Sequence, residues 1–178
     1  MQSELTRCLK ALPIFASLSE VELERIQDTG RVEYYGNNAP VLSEGESGPR
    51  MVVILEGSVD VLRSDSEGNL HKLAHLTVGE VIGEMSLLLD LPRTATVRAC
   101  DDIRVFAMDR AAFEQLVEDG DVAALKFGMA LSRVLASRVV DLNSKLVALA
   151  RERGESVPES SDPVGLSEDF MGWWDTYS

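Results

Sequence analysis

The segment VGEVIGEMSLLLDLPRTATV, at Val78–Val97, decides how this chain is interpreted. Gly83 allows the backbone to adopt a positive φ or to approach a ligand closely. Residues 84–89 predict a short helix, and the first N–H groups of such a helix have no internal partner and attract a phosphate. Arg93 supplies a planar fork that suits two phosphate oxygens. The segment therefore predicts a site for an anion.

Three side chains around this predicted site carry hydrogen-bonding groups. Glu84 is unexpected beside an anion unless it accepts hydrogen bonds, which ribose hydroxyls would donate. Thr94 and Thr96 add hydroxyls on the strand that follows. Together these residues could hold a sugar phosphate. Alternatively, Glu84 and Arg93 form a structural ion pair, and the threonines are ordinary strand residues because β-branched side chains favour strands.

Composition limits the class of protein. The 178 residues include 17 Lys and Arg against 30 Asp and Glu, a net charge of −13, which argues against a general nucleic-acid binder because phosphate backbones require a basic surface. No apolar run approaches the ~20 residues that span a bilayer. Cys8 and Cys100 are distant in sequence and predict neither a disulfide framework nor a zinc finger. We therefore expect a cytoplasmic protein in a reducing compartment, with no membrane association.

The first part of the chain predicts helices over about residues 3–30. Pro13 should end the first helix, because proline cannot continue the hydrogen-bond ladder. Ser19 and Glu22 have the spacing of a capping box and predict the start of a second helix. Gly30 is the predicted end of that helix.

Residues 31–109 carry short apolar runs separated by glycine and acidic turns. The runs include Met51–Leu55 and the alternating stretch Ile103–Ala107, and Ser64–Asn69 is a strong hairpin signal. Many short strands at this spacing predict an antiparallel barrel, roll or sandwich.

The third part of the chain predicts a long helix over about residues 122–153. An apolar stripe with spacings of 4, 3, 4 and 3 runs along it: Leu135, Val139, Leu142, Leu146 and Leu149. This stripe either packs on the chain's own strands or forms a dimer seam.

After Gly154 the composition changes, and we expect 154–178 to be an acidic flexible tail. Its last residues place four aromatic side chains at the spacing of one helix face, and these are Phe170, Trp173, Trp174 and Tyr177. The tail is either a docking element or a disordered segment whose aromatic residues have no role.

The segment at Val78–Val97 closely resembles the phosphate-binding cassette of the cyclic nucleotide-binding domain family, of the catabolite-activator type. Ile82 replaces the aromatic residue usual in the family, and the other fixed positions match. Leu42–Gly48 and Val53–Val61 look like the family's early strands, and Leu9–Leu18 looks like its N-terminal helical segment. The resemblance covers about residues 5–150, and we expect the domain at 1–153 to include its C-terminal helix.

The resemblance implies a mainly β fold, an eight-stranded antiparallel β-roll that is jelly-roll-like, with N-terminal helices and a long C-terminal helix. It implies binding of cAMP or cGMP without chemical change, with Glu84 on the ribose 2′-hydroxyl and Arg93 on the exocyclic phosphate oxygens. The long helix would cap the base. The ligand-binding residues carried over are Gly83, Glu84, Met85, Ser86, Arg93, Thr94, Ala95 and Arg138.

We therefore expect a regulatory module with no catalytic residues, no metal and no cofactor apart from its ligand, cAMP or cGMP. Only about 25 residues follow Arg153, so we expect no DNA-binding domain and no direct DNA binding. A protein partner is expected at the tail, and a homodimer through the long helix is the second expectation. Two alternatives remain: an interaction or structural protein that has lost nucleotide binding, and an enzyme with an unrecognised site on the same roll. His71 and His75, four residues apart, are expected to be surface residues without a third ligand nearby.

Overall fold

The computed structural model describes residues 4–88 and 92–152. The helices are α1 (Glu4–Lys10), a 3-10 helix (Pro13–Phe15), α2 (Glu20–Gln27), α3 (Glu84–Leu88), α4 (Arg110–Glu118) and α5 (Val122–Glu152). The strands are β1 (Gly30–Tyr35), β2 (Pro40–Leu42), β3 (Arg50–Glu56), β4 (Val59–Ser64), β5 (Leu70–Leu76), β6 (Val81–Ile82), β7 (Thr96–Ala99) and β8 (Ile103–Asp109).

The eight strands of the described residues form two antiparallel four-stranded sheets. The first sheet has the order β1-β8-β3-β6 and the second has the order β2-β7-β4-β5. Residues 51–55 are buried throughout, because the side chains of β3 alternate between two apolar cores, one on each face of the first sheet. This arrangement, with helices flanking the strands, confirms the predicted mainly β roll.

Two apolar cores hold these layers together. One lies between the inner faces of the two sheets and includes Val59, Val97 and Val105. The other joins the first sheet to the helices, where the Phe127 ring stacks on Phe15 at a centroid distance of 5.5 Å. The Phe113 ring meets Phe127 edge-on at 5.7 Å, so the start of α5 is fixed by aromatic packing.

Local sequence signals are confirmed at two turns. The Ser19 hydroxyl accepts from the Glu22 N–H, and the Glu22 carboxylate accepts from the Ser19 N–H, which completes the predicted capping box. The predicted hairpin joins β4 to β5, with Gly68 at a φ of 86°. The Asp65 carboxylate accepts from the N–H groups of Glu67 and Asn69 and closes that turn.

The predicted role of Gly30 is wrong. Helix α2 ends at Gln27 with Asp28 as its C-cap, and Gly30 is the first residue of β1. A β-carbon at Gly30 would lie 2.1 Å from the carbonyl oxygen of Ala107. Glycine stands here because β1 and β8 approach too closely for a side chain.

The chain divides into two compact units within α5, one ending at Val134 and the other beginning at Leu135. In the second unit, Val139, Leu142, Leu146 and Leu149 of the predicted stripe are 53–56% exposed. The predicted tail at 154–178 lies outside the described residues. Across residues 4–88 and 92–152, no helix is both long and apolar enough to cross a membrane.

Candidate functional site

Gly83 joins β6 to α3 in a conformation that other residues rarely adopt, with φ at 76°. A β-carbon there would lie 2.5 Å from Nη1 of Arg93 and 3.1 Å from the carbonyl oxygen of Arg50. The positive φ that the sequence allowed at Gly83 is therefore present, and the group that lies against this glycine is the Arg93 guanidinium. The close approach of a ligand to Gly83 stays a prediction.

Arg93 is a buried arginine, with 6% of its surface exposed. Its Nη2 donates to the carbonyl oxygen of Arg50 at 2.6 Å, and its Nη1 donates weakly to the carbonyl oxygen of Gly83 at 3.5 Å. On its other side a β-carbon at Gly48 would lie 3.3 Å from Nη2. Two glycines and two backbone carbonyls thus hold the fork in place.

The backbone of Arg93 is fixed by the loop between β2 and β3. The Arg93 N–H donates to the Glu46 carbonyl at 2.9 Å, and the Gly45 N–H donates to the Arg93 carbonyl at 2.9 Å. The Glu44 N–H also donates to the Thr96 hydroxyl at 3.1 Å, so that hydroxyl supports the loop. These bonds tie residues 44–46 to the cassette.

Burial and a neighbouring cation disfavour the charged form of Arg93. Burial and the nearby positive charge of Arg50 lower the pKa of Arg93, and the carboxylates of Glu46 and Glu84 raise it in part. Arg50 itself donates to the Glu33 carboxylate at 2.7 Å and to the Tyr35 hydroxyl at 3.1 Å. A buried cation beside a second cation is stabilised by an anion.

The other predicted cassette residues differ in exposure. Glu84 and Ser86 are each 6% exposed, whereas Met85 is 41% exposed. The Ser86 N–H donates to the Gly83 carbonyl at 3.1 Å and so closes the turn into α3. Thr94 is exposed and Ala95 is half-buried. Among the predicted cassette residues, Gly83 therefore contacts Arg93 and is hydrogen-bonded to Ser86, and the Glu84 carboxylate acts electrostatically on Arg93.

Arg138 lies in α5 within the second unit and is half-buried. Its predicted contact with the ligand stays a prediction. Sequence reasoning did not assign site roles to Gly48, Glu46 or the Arg50 carbonyl. The sequence did contain a signal for Gly48, namely a second glycine in the turn Ser43–Pro49. Gly45 has a positive φ, whereas Gly48 does not, so backbone conformation explains only the first of these glycines.

Comparison with known proteins finds a family whose model matches the central part of the chain. Residues 32–119 match the model of the cyclic nucleotide-binding domain. A cAMP-dependent protein kinase regulatory subunit of Eremothecium gossypii is 35% identical over 109 residues, which cover 61% of this chain and 23% of that protein. The chain thus spans about a quarter of the length of this relative.

Two solved structures share the fold. The catabolite activator protein of Thermus thermophilus is 26% identical, with a TM-score of 0.69 over 78% of this chain and 63% of that one. A cyclic nucleotide-binding domain from Methylobacillus flagellatus is 21% identical, with a TM-score of 0.72 over 88% and 85% of the two chains. Residues 32–119 of this chain therefore match the cyclic nucleotide-binding domain family.

Proposed function

We propose that this chain is a non-catalytic regulatory module that binds cAMP or cGMP at its cassette and signals through its C-terminal helix, its tail or a partner. The observation that carries the proposal is the buried Arg93 guanidinium beside Arg50, held by the carbonyl oxygens of Arg50 and Gly83. Buried charges are retained where they are paired or used, because burial disfavours the charged form.

The phosphate would lie on Arg93. A cyclic phosphate carries one negative charge spread over two exocyclic oxygens, which matches the two parallel N–H groups of a guanidinium fork. The pKa of Arg93 is lowered by burial and by Arg50, so a bound anion would stabilise the charged form of this side chain. Because Gly83 and Gly48 have no β-carbon, there is space for the Arg93 guanidinium beside them.

The ribose would lie on Glu84. Its carboxylate is buried and acts electrostatically on Arg93, so a hydroxyl donor on Glu84 and a phosphate on Arg93 belong to one small ligand. Ser86 and Thr94 would add hydroxyl groups, and Met85 and Ala95 would line the site. Arg138 remains the proposed contact from the long helix.

A route for the signal begins at the last residue of α3. Leu88 lines an apolar cavity of about 570 Å³ together with Phe113 and Val117 of α4 and with Ala124 and Leu125 of α5. Ligand binding at Glu84, the first residue of α3, would shift this short helix. The shift would move Leu88 relative to the α4 and α5 residues that line the same cavity.

We propose that the signal of nucleotide binding is passed on through a protein partner and through self-association of the chain. The Eremothecium gossypii relative is a kinase regulatory subunit, which suggests a regulatory and non-catalytic role here. The tail 154–178 is the proposed partner segment, following a domain at 1–153, and the α5 stripe is the proposed dimer seam. We propose no direct DNA or membrane binding, and a cytoplasmic location, which the two free cysteines suit.

The test is isothermal titration of the full chain with cAMP and with cGMP. Arg93→Ala and Glu84→Ala are expected to weaken binding roughly ten- to a hundredfold, because a lost charge-assisted contact costs about 1.5–3 kcal/mol. Matched controls are Arg7→Ala and Glu24→Ala, which remove the same charges from exposed positions on α1 and α2. Arg93→Ala that titrates like the wild type would refute the site.

A chain that binds neither nucleotide would favour the alternative of an interaction or structural protein. A thermal melt provides the second readout, because a ligand that binds only the folded state raises the melting temperature.

A further inference from the structure

Three potential metal ligands meet on the outer face of the second sheet. Asp60 of β4 lies directly opposite His75 of β5, and Cys100 follows the last residue of β7. The residues next to them in sequence, Val59, Leu76 and Ala99, belong to the core between the sheets, so the alternation of strand side chains directs the three ligands outward. The Cys100 N–H donates to the Ser58 carbonyl at 2.9 Å, which extends the β4–β7 ladder and fixes the cysteine.

The donor atoms of this triad are close together. The His75 Nδ1 lies 2.7 Å from Oδ1 of Asp60 and 3.9 Å from Sγ of Cys100. All three donor atoms lie within 4.8 Å of one another. Metal–ligand bonds of 2.0–2.3 Å in a tetrahedron place donors about 3.3–3.6 Å apart. Shifts of roughly an ångström or less in these exposed side chains would produce that spacing.

We propose that Asp60, His75 and Cys100 bind a Zn²⁺ ion. Imidazole, thiolate and carboxylate together form a donor set that suits this borderline-soft cation. Three protein ligands leave one tetrahedral position for water or for a donor from another molecule. The ion would bridge β4, β5 and the residue after β7, and so stabilise the second sheet.

Two basic residues stand near the triad. The Lys72 ammonium lies 2.7 Å from Oδ1 of Asp60, and Arg98 is directly opposite Asp60 in β7. Lys72 is 52% exposed on a flexible stem, so it can leave Asp60 when a dication binds.

Sequence reasoning missed this cluster for a specific reason. It sought a third ligand near His71 and His75 in sequence, whereas the partners of His75 come from β4 and from the residue after β7. His71 instead contacts Asp65 at 2.7 Å in the hairpin turn. The three residues of the triad lie outside Val78–Val97, so the proposal stands independently of nucleotide binding.

The experiment is a titration of the full chain with Zn²⁺ under a non-thiol reductant, followed by Co²⁺ as a spectroscopic probe. We expect one ion per chain and the charge-transfer absorption that a thiolate ligand gives on Co²⁺. His75→Ala and Cys100→Ser should each weaken Zn²⁺ binding at least about tenfold, since even the loss of a hydrogen bond to a metal ligand costs roughly ten- to a hundredfold.

The chain offers matched controls, because it has two histidines and two cysteines. His71→Ala and Cys8→Ser should titrate like the wild type, with every variant checked for folding by circular dichroism. Lys72→Met should tighten binding severalfold, because it removes the cation that competes for Asp60. The proposal is overturned by the absence of a thiolate band on Co²⁺, or by Cys100→Ser and Cys8→Ser binding Zn²⁺ alike. Unchanged or weaker binding by Lys72→Met would overturn the competition between Lys72 and the ion for Asp60.

Discussion

Gly83 and Arg93 are in such close contact that a β-carbon on the glycine would lie 2.5 Å from the Nη1 atom of the arginine. The same carbon would lie 3.1 Å from the carbonyl oxygen of Arg50, which accepts a hydrogen bond from the Nη2 atom of Arg93. There is therefore no space for a side chain between Gly83 and the guanidinium. Gly83 also has a positive φ of 76°. The position of the Arg93 guanidinium therefore depends on the absence of a side chain at Gly83, ten residues earlier in the sequence.

Gly83→Ala should displace Arg93 and weaken nucleotide binding by roughly tenfold or more, because a shifted fork loses its bidentate contact. The left-handed conformation should also cost about 1–2 kcal/mol of stability in a residue with a β-carbon. Titration calorimetry measures the first effect, and urea unfolding measures the second.

Gly68→Ala separates the two causes. Gly68 has a φ of 86°, and a β-carbon added to it would meet nothing within 4 Å, so this variant carries the backbone strain without the collision. We expect it to lose similar stability and to keep its nucleotide affinity. Equal losses of affinity in both variants would show that the Gly83 contact has no specific role.

Local signals explain which parts of the fold were predictable. The capping box at Ser19 and the hairpin around Asp65 involve residues within four positions of one another, so a short stretch of sequence is enough to predict each of them. Gly30 was misjudged because its neighbour, Ala107, is 77 positions away and belongs to a strand that pairs with it only in the fold.

The same distinction applies to the site. Gly83, Glu84 and Arg93 lie within one short segment and were assigned from it. Gly48 and the Arg50 carbonyl are supplied by another loop and strand, and only the folded chain places them on Arg93. A backbone carbonyl has no sequence signature, because every residue has one.

Glu22 should make stability depend on pH in the acid range. Its carboxylate accepts from the Lys126 ammonium at 2.7 and 2.8 Å, joining α2 to the start of α5. The hydrogen bond from Lys126, followed by the one from the Ser19 N–H, lowers the pKa of Glu22 from 4.5 to about 2. Ionised Glu22 therefore stabilises the fold above pH 4.5, and this contribution disappears as the pH falls toward 2.

Glu22→Gln tests this while preserving a side chain that can complete the capping box. The wild type should be more stable than Glu22→Gln at neutral pH, and the gap should close between pH 4.5 and 2. Glu24→Gln, on the exposed face of α2, is the control and should show no such closing gap. Chemical unfolding across a pH series measures both, and a constant gap for Glu22→Gln would contradict the prediction.

The exposed stripe on α5 should support a dimer. Val139, Leu142, Leu146 and Leu149 are 53–56% exposed and keep the spacing of a coiled-coil seam. Burying a leucine or valine stabilises an interface by about 1.5–3 kcal/mol per residue. Sedimentation velocity should find a dimer at tens of micromolar, and a monomer at that concentration would refute the seam.

Leu142→Glu should dissociate this dimer, since it places a charge in the centre of the seam. Ser144→Glu is the matched control because it adds the same charge two positions away, on the side of the helix opposite the stripe. Only the first variant should sediment as a monomer. Dissociation by both would point to net charge as the cause and would contradict the seam.

The tail should behave as a docking element. Phe170, Trp173, Trp174 and Tyr177 have the spacing of one helix face, and they follow a polar segment at 155–162 that cannot bury enough apolar area to fold alone. A helix of about ten residues is marginal in water, so these side chains should order only against a surface. Aromatic anchors often dominate such contacts.

Tryptophan fluorescence reports directly on this prediction, because both tryptophans of the chain lie in the tail. Docking on the chain's own ligand site, or on an element that moves with it, should shift the emission to the blue when nucleotide alone is added. Docking on a partner should produce the shift only with that partner present. Trp173→Ser and Trp174→Ser, made singly, would identify which ring becomes buried. Emission typical of water-exposed tryptophan, unchanged by nucleotide and by candidate partners, would contradict docking and leave the aromatic residues without a role.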